Sequence, residues 1–439
     1  MDLSHALRLT SPQTISLVGA GGKTTALFQL ARQLSKKSSV IVTATTHLGV
    51  WQIPLADHHI IAKSEDDFPS LPSKGVILVT GEIENERTKP VSSATAYWLR
   101  ENSKKQGIFL LIEADGSRQK SVKAPTSYEP PIPEFTDTVV VLAGLSTIGK
   151  PLGKENVHRS EIFSQLCGTP VGETITPKEI ISVLTHSQGG LKNIPPHARR
   201  IALLNQADTP ELQSFAGDMA RELLGHFDSV LVGSLQQNSL RVVEHTAGII
   251  LAAGQSTRYG APKQLLDWKG KPFVRHVAET ALHSGLWPVV VVTGFHSAEI
   301  ESCLKDLPVK IVHNPEYKEG QSTSIKAGVA SLPKKVGGAI FLLADQPQIP
   351  SEVIRALTEA HTKELHPVIA PLVLEERRAN PVLFDKVAFP DLLQLTGDIG
   401  GRAIFSKYKV EYIPWHDDIL LFDVDKPEDY QRLVNIEKL

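Results

Sequence analysis

Short apolar runs rich in β-branched residues alternate with helix-like stretches along most of the chain. The first series occupies 15–18, 40–42, 75–79, 109–112 and 139–142. A second series occupies 248–251, 288–292, 309–312, 339–343 and 367–370. Continuous apolar runs of this length fit strands buried on both faces of a parallel sheet. Their alternation with helices predicts βαβ units. The polar stretch 235–240 separates the two series. The pattern therefore predicts an α/β protein of two domains, 1–240 and 247–439. Each opens with a strand that runs straight into a glycine-rich turn, as nucleotide-binding α/β domains do. The segments 125–133 and 195–196 are proline-rich and read as loops. The stretch 174–192 reads as a small helical subdomain with no evident chemistry.

Composition changes this picture little. The chain has 439 residues, 41% hydrophobic and 21% charged, with a formal net charge of -2. That suits two or three globular domains. It supplies no basic surface for nucleic acid and no polybasic membrane patch. The two cysteines, Cys167 and Cys303, are far apart and make no disulfide framework. The first residues show no basic-then-apolar signal, and the longest apolar runs, of six to eight residues, are too short to span a bilayer. A cytoplasmic protein is the expectation, with no nucleic acid and no membrane among its partners.

The richest segment follows the strand at 248–251. Leu251, Ala252, Ala253, Gly254, Ser256, Arg258, Gly260 and Lys263 lie within thirteen residues. The glycines let the backbone approach a ligand, exposed N–H groups form an anion cradle, and the two cations neutralise phosphate. The plain alternative is a turn with two solvated cations. The spacing resembles the signature LAAGxSxRxGxxK of the MobA-like nucleotidyltransferases. The resemblance continues through Thr293-Gly294, Asn314-Pro315, the segment Gly320-Gln321-Ser322-Thr323-Ser324, and Asp345-Gln346-Pro347. It extends over Asn380-Pro381, Asp398 to Arg402, and Asp423 to Tyr430. Within that family, Ala253 (where guanylyltransferases usually carry glycine) and the Asp398–Arg402 segment are most similar to the molybdenum cofactor cytidylyltransferases. Ala379 departs from the family's usual glycine.

The resemblance implies a Rossmann-like, three-layer α/β/α domain. It would transfer CMP from CTP to molybdopterin-bound molybdenum, with Mg²⁺ as cofactor and the molybdopterin cofactor as acceptor. In that reading Arg258, Lys263 and Asp345 are catalytic, and Asp345 and Asp425 hold the metal. Leu251 to Gly254, Ser256, Thr293, Gly294, Ser322 and Ser324 bind nucleotide; Asn380, Asp398 and Arg402 face the acceptor. Taken alone, Asp345 is also a strand-end turn former. Ser322 and Ser324 equally suit the cap of a helix at 324–332, and Asp398 the cap of a helix near Gly400. A sugar- or polyol-phosphate cytidylyl- or uridylyltransferase and an NTP-dependent cofactor-insertion chaperone stay open.

In the N-terminal half, Gly19, Gly21, Gly22, Lys23 and Thr24 join a strand to a helix-like stretch and resemble a shortened phosphate loop. The full P-loop pattern places glycine where Leu17 stands. The carboxylates of Glu113-Ala114-Asp115, at the end of an apolar run, suit a second metal-holding segment. Of these, Asp115 is the candidate ligand. The Thr43–His47 turn suits a sensor of a γ-phosphate, with His47 an ordinary polar loop residue. The pieces GAGGKTT, TATTH, EADGS and Lys123-Ala124-Pro125 are similar to the YqeC family, accessory to selenium-dependent molybdenum hydroxylases. That resemblance implies a P-loop-like domain using ATP or GTP and a hydroxylase client.

Overall fold

The computed structural model describes residues 1–62, 71–256 and 259–436. The chain divides into two compact units, Met1–Val243 and Glu244–Leu439.

The N-terminal unit is built on a nine-stranded sheet. Its strands are β1 (Thr14–Gly19), β2 (Val40–Ala44), β3 (His58–Ile61), β4 (Val76–Thr80), β5 (Phe109–Glu113), β6 (Thr138–Gly144), β7 (Arg199–Asn205), β8 (Ser229–Ser234) and β9 (Ser239–Val243). The order across the sheet is β9-β8-β7-β6-β1-β5-β2-β4-β3. All pairs are parallel except β8 with β9, so the polar stretch near 240 feeds an antiparallel edge strand. β2, β4, β5 and β6 are buried at every position. Side chains enclosed on both faces explain why these runs read as unbroken apolar blocks. Helix α1 (Lys23–Leu34) follows β1 directly. Helices α2 (Ser160–Cys167) and α3 (Pro177–Thr185) form the small helical portion and pack Phe163, Ile180 and Val183 into the same core.

The C-terminal unit has an eight-stranded sheet. It contains β10 (His245–Ala252), β11 (Val289–Thr293), β12 (Lys310–His313), β13 (Val336–Leu343), β14 (Val368–Val373), β15 (Val382–Asp385) and β16 (Val410–Trp415). The strands β12-β11-β10-β13 are parallel neighbours. β15 runs antiparallel to both β13 and β14, while β16 pairs with β14 in parallel. The sheet is therefore mixed rather than purely parallel. Apolar clusters lie on both of its faces, one around Ile250, Val274 and Ile354, the other around Ile249, Ile325 and Phe384. Among the described residues no helix is long and apolar enough to cross a membrane.

This topology decides where ligands sit. The carboxyl ends of adjacent parallel strands bring β10, β11 and β13 to one edge, where an open α/β sheet leaves a crevice.

Candidate functional sites

In the C-terminal unit the loop after β10 is fixed by one buried amide. Gln264 Nε2 donates to the Gly254 carbonyl at 2.7 Å, and the Lys263 backbone N–H donates to Ser256 Oγ at 3.1 Å. Ser256 itself takes a left-handed backbone, φ 52°. Gln264 thus ties the glycine-rich turn to the segment carrying Lys263, a role its position in the motif did not reveal. Arg258 lies outside the described residues.

The turn borders a cavity of about 340 Å³ lined by Leu251, Ala253, Gly254, Ser256, Lys263, Gln264, Tyr317, Gly320, Gln321, Ser324, Asp345 and Asp398, with Leu343 and Ala344. At its polar end the Lys263 ammonium sits 3.1 Å from Asp345 Oδ2 and 2.9 Å from Asp425 Oδ1, and donates to the Val424 carbonyl at 2.8 Å. Burial alone would depress this ammonium. The hydrogen bonds and charges of Asp425 and Asp345 outweigh it and hold the group above its usual range. Asp423, hydrogen-bonded by Gln346 Nε2 at 2.5 Å, completes an acidic trio. Burial raises the Asp423 carboxyl, and the negative charges of Asp345 and Asp425 push it further.

This donor set suits a hard divalent cation. Asp345 and Asp425 each place one oxygen on the Lys263 ammonium, and a carboxylate has a second oxygen to offer. Magnesium takes one or two carboxylates and fills its remaining positions with water and phosphate oxygens. Among the described residues no group of three or more His, Cys, Asp or Glu side chains is placed to hold a metal ion.

The remaining expected residues divide. Thr293 is fully buried and its hydroxyl pairs with Ser297 Oγ at 2.9 Å. Its neighbour Gly294 packs so closely on Ala253 that an added Cβ would meet the Ala253 carbonyl at 2.7 Å. Ala252 is buried in the core rather than at the cavity. Helix α4 (Gln321–Ala330) begins earlier than the 324–332 expectation, because Gly320 takes φ 113° and turns the chain sharply. Ser322 and Ser324 therefore lie inside its first turns and cap nothing. Ser324 lines the cavity, with its hydroxyl accepting from buried Asn314 Nδ2 at 3.0 Å, whereas Ser322 is fully buried. Asp398 caps α4, accepting from Gln321 N–H at 3.1 Å, rather than a helix near Gly400. Arg402 donates to Asn380 Oδ1 at 3.2 Å, and neither residue lines the cavity.

The N-terminal phosphate loop has a different economy. The N–H groups of Gly19, Ala20 and Gly21 are already taken by Asp115 Oδ2, the Leu142 carbonyl and the Lys120 carbonyl, at 2.9, 3.0 and 3.0 Å. The glycine N–H groups at 19 and 21 are thus committed within the protein, contrary to the sequence reading. The start of α1, from Gly22 through Thr24, carries the anion-facing dipole. Lys23 is buried, with Nζ 2.6 Å from the Gly19 carbonyl and 3.1 Å from Asp115 Oδ1. Asp115 also holds Lys123 at 2.9 Å, so both of its oxygens serve lysines, and its expected place at a metal gives way to an internal charge bridge. The strand-end carboxylate that meets Thr24 is Glu113, at 3.2 Å. Sequence alone could not choose between carboxylates two residues apart on a strand end.

A lysine bracketed by the strand-end Asp345 and the loop residue Asp425, beside a glycine-rich turn on the carboxyl edge of parallel strands, suits the handling of a nucleoside triphosphate. The family comparison agrees. Residues 248–412 match the MobA-like NTP transferase domain, and residues 15–161 match the family described as YqeC protein. The chain is 30% identical over 244 residues to the uncharacterized protein YqeC of Escherichia coli K12, covering 52% of this chain and 89% of that one. It is 31% identical to the nicotine blue oxidoreductase of Paenarthrobacter nicotinovorans, covering 43% of this chain and 95% of that one. A probable molybdenum cofactor guanylyltransferase of Bacillus cereus AH187 is 32% identical over 138 residues, 31% of this chain and 66% of that protein. The chain belongs to the YqeC family in its N-terminal part and to the MobA-like NTP transferases in its C-terminal part, and it is a nucleotidyltransferase.

Proposed function

We propose that the C-terminal unit transfers CMP from CTP to molybdopterin-bound molybdenum cofactor, releasing pyrophosphate, in the cytoplasm. The observation that carries this reading is the Lys263 ammonium held between Asp345 and Asp425 at the polar end of a cavity whose other walls are a glycine-rich turn and the first turn of α4. An acceptor phosphate is already ionised at neutral pH, so no strong base is needed. The protein's work is to bring two anions together and to absorb charge at the α-phosphorus. Lys263 neutralises phosphate oxygens, and its two carboxylate partners keep it charged and aimed. The N–H groups of the 253–256 turn orient the triphosphate, and Ser324 meets the sugar. Bound by Asp345 and Asp425, magnesium supplies Lewis-acid polarisation and a template for the triphosphate. Asn380 and Arg402 steady the acceptor side.

Cytosine is favoured over guanine by Ala253, whose methyl group projects at a turn already narrowed by the close approach of Gly294. Removing that methyl enlarges the base end. Ala253→Gly is expected to shift the CTP-to-GTP ratio of kcat/KM toward GTP by about tenfold, the scale of one methyl in a snug pocket. An unchanged ratio would place base selection elsewhere.

The reading is tested by supplying each of the four triphosphates with molybdopterin-type and sugar-phosphate acceptors, then measuring pyrophosphate and the mass of the product. A cytosine dinucleotide formed from CTP alone is the expected result. Product from a sugar or polyol phosphate would replace this reading, and so would cofactor delivery to a hydroxylase that survives Asp345→Ala. The N-terminal unit, in the same proposal, is an accessory domain that binds ATP or GTP at the start of α1 and serves a molybdenum hydroxylase client.

A further inference from the structure

The parallel register of the N-terminal sheet places three strand ends side by side. Glu113 of β5 lies opposite Leu17 of β1 on one side and Ala44 of β2 on the other. The turn after β1 leads into Lys23 and Thr24, and the turn after β2 carries Thr45 and Thr46. The Thr45 N–H donates to the Glu113 carbonyl at 3.1 Å, so this second turn is pinned against the carboxylate strand. Glu113 is buried, and its carboxylate accepts from the Thr24 hydroxyl at 3.2 Å. The hydroxyl oxygens of Thr45 and Thr46 are both buried, and neither has a hydrogen-bond partner. Two buried hydroxyls without a partner, on the turn pinned to the Glu113 strand, are expensive unless something polar completes them.

Resting on the reading that this unit binds a nucleoside triphosphate, we infer that it also hydrolyses one, with Glu113 and Thr24 holding the divalent cation and the Thr45 and Thr46 hydroxyls receiving the γ-phosphate. Water attacks the γ-phosphorus, and a new P–O bond forms as the bond to the β–γ bridging oxygen breaks. The nucleoside diphosphate leaves with that electron pair. The proton lost by the water ends on inorganic phosphate or in solvent. Lys23, drawn out of its contact with the Gly19 carbonyl by the incoming anion, neutralises the departing charge. Asp115 stays between Lys23 and Lys123 as a positioning residue.

The test uses the full chain carrying Lys263→Ala and Asp345→Ala, so that the C-terminal site is disabled. Binding of fluorescent ATP and GTP analogues, phosphate release, and Mn²⁺ binding by electron paramagnetic resonance are measured separately. The expected result is nucleotide-dependent phosphate release that falls about 10²–10³-fold in Glu113→Gln, with the analogue still bound. Mn²⁺ held in the presence of nucleotide is lost in Glu113→Gln and Thr24→Val and kept in Asp115→Asn. Analogue binding without phosphate release, or release and Mn²⁺ binding untouched by Glu113→Gln, overturns the inference and leaves nucleotide binding standing. Failure of both analogues to bind removes the nucleotide reading and this inference together.

Discussion

Lys263→Ala is expected to lower CTP-dependent pyrophosphate release by about 10²–10³-fold, the loss that follows removal of one preorganised charge-stabilising group. The effect should appear in kcat as well as in KM, because the ammonium matters most when charge builds at the α-phosphorus. Lys263→Arg is not expected to restore the rate. The pocket between Asp345, Asp425 and the Val424 carbonyl receives a compact ammonium, and a planar fork cannot donate to all three from the same point. Thermal stability should change little, since the lysine's partners are partly exposed. Steady-state kinetics beside a melting curve decide the matter. A variant that melts normally and keeps more than about a tenth of its rate would move the chemistry away from this lysine.

Glu129→Gln should produce the largest loss of stability. Glu129 is buried, with Oε1 2.7 Å from Arg159 Nη2, Oε2 2.5 Å from Arg159 Nη1, and Oε2 3.1 Å from Lys123. Lys123 continues the chain of charges to Asp115 and Lys23. Neutralising one member of a buried array strands its partners, at a cost of about 3–5 kcal/mol. Acid should have a related effect. Burial alone would raise the Glu129 carboxyl, but Arg159 and Lys123 hold it down to about 2 from 4.5. A depressed carboxyl stabilises the fold fully above pH 4.5, and that contribution is lost as the pH falls toward 2. His158, lowered from 6.5 to about 4 by burial and by the charges of Arg159 and Lys123, acts in the same direction. The folded state resists its protonation, so stability drains as the pH drops from 6.5 toward 4. Urea melts at pH 7, 5 and 3.5 should show wild type falling steadily. Glu129→Gln should start lower and lose less below pH 4.5. Equal curves would mean that the array contributes nothing net.

Much of the framework was legible because parallel strands with both faces covered leave an unmistakable apolar block. The strands at 40–44, 76–80, 109–113 and 138–144 are of this kind. Other strands carry no such mark: the edge strand β9 sits in what reads as polar linker, and β15, an internal strand, enters antiparallel in a run that looks like its neighbours. At the C-terminal site the motif spacing singled out Lys263, Asp345 and Asp425, but not that the two carboxylates would both pair with the lysine. Long-range partners did not follow. The cap on α4 comes from Asp398, 77 residues away. The choice between Glu113 and Asp115 rests on which carboxylate the two lysines take, and only the fold brings those lysines there. Glu129, in the proline-rich loop, and Arg159, just before α2, look like ordinary solvated charges until the fold pairs them.

The hydrogen bond from the Gln321 N–H to Asp398 joins two parts of the cavity wall that, in the proposed reaction, serve different reactants. At Gly320 the backbone of Asp398 stands so near that an added Cβ would lie 2.5 Å from its Cα. Any displacement of the Asp398 loop must therefore be felt at the start of α4, and in the proposed reaction these are the acceptor and nucleotide sides. Affinities coupled this way are reciprocal by thermodynamic necessity. A lineage that altered its acceptor by redrawing this loop would have had to retune its nucleotide pocket at the same time.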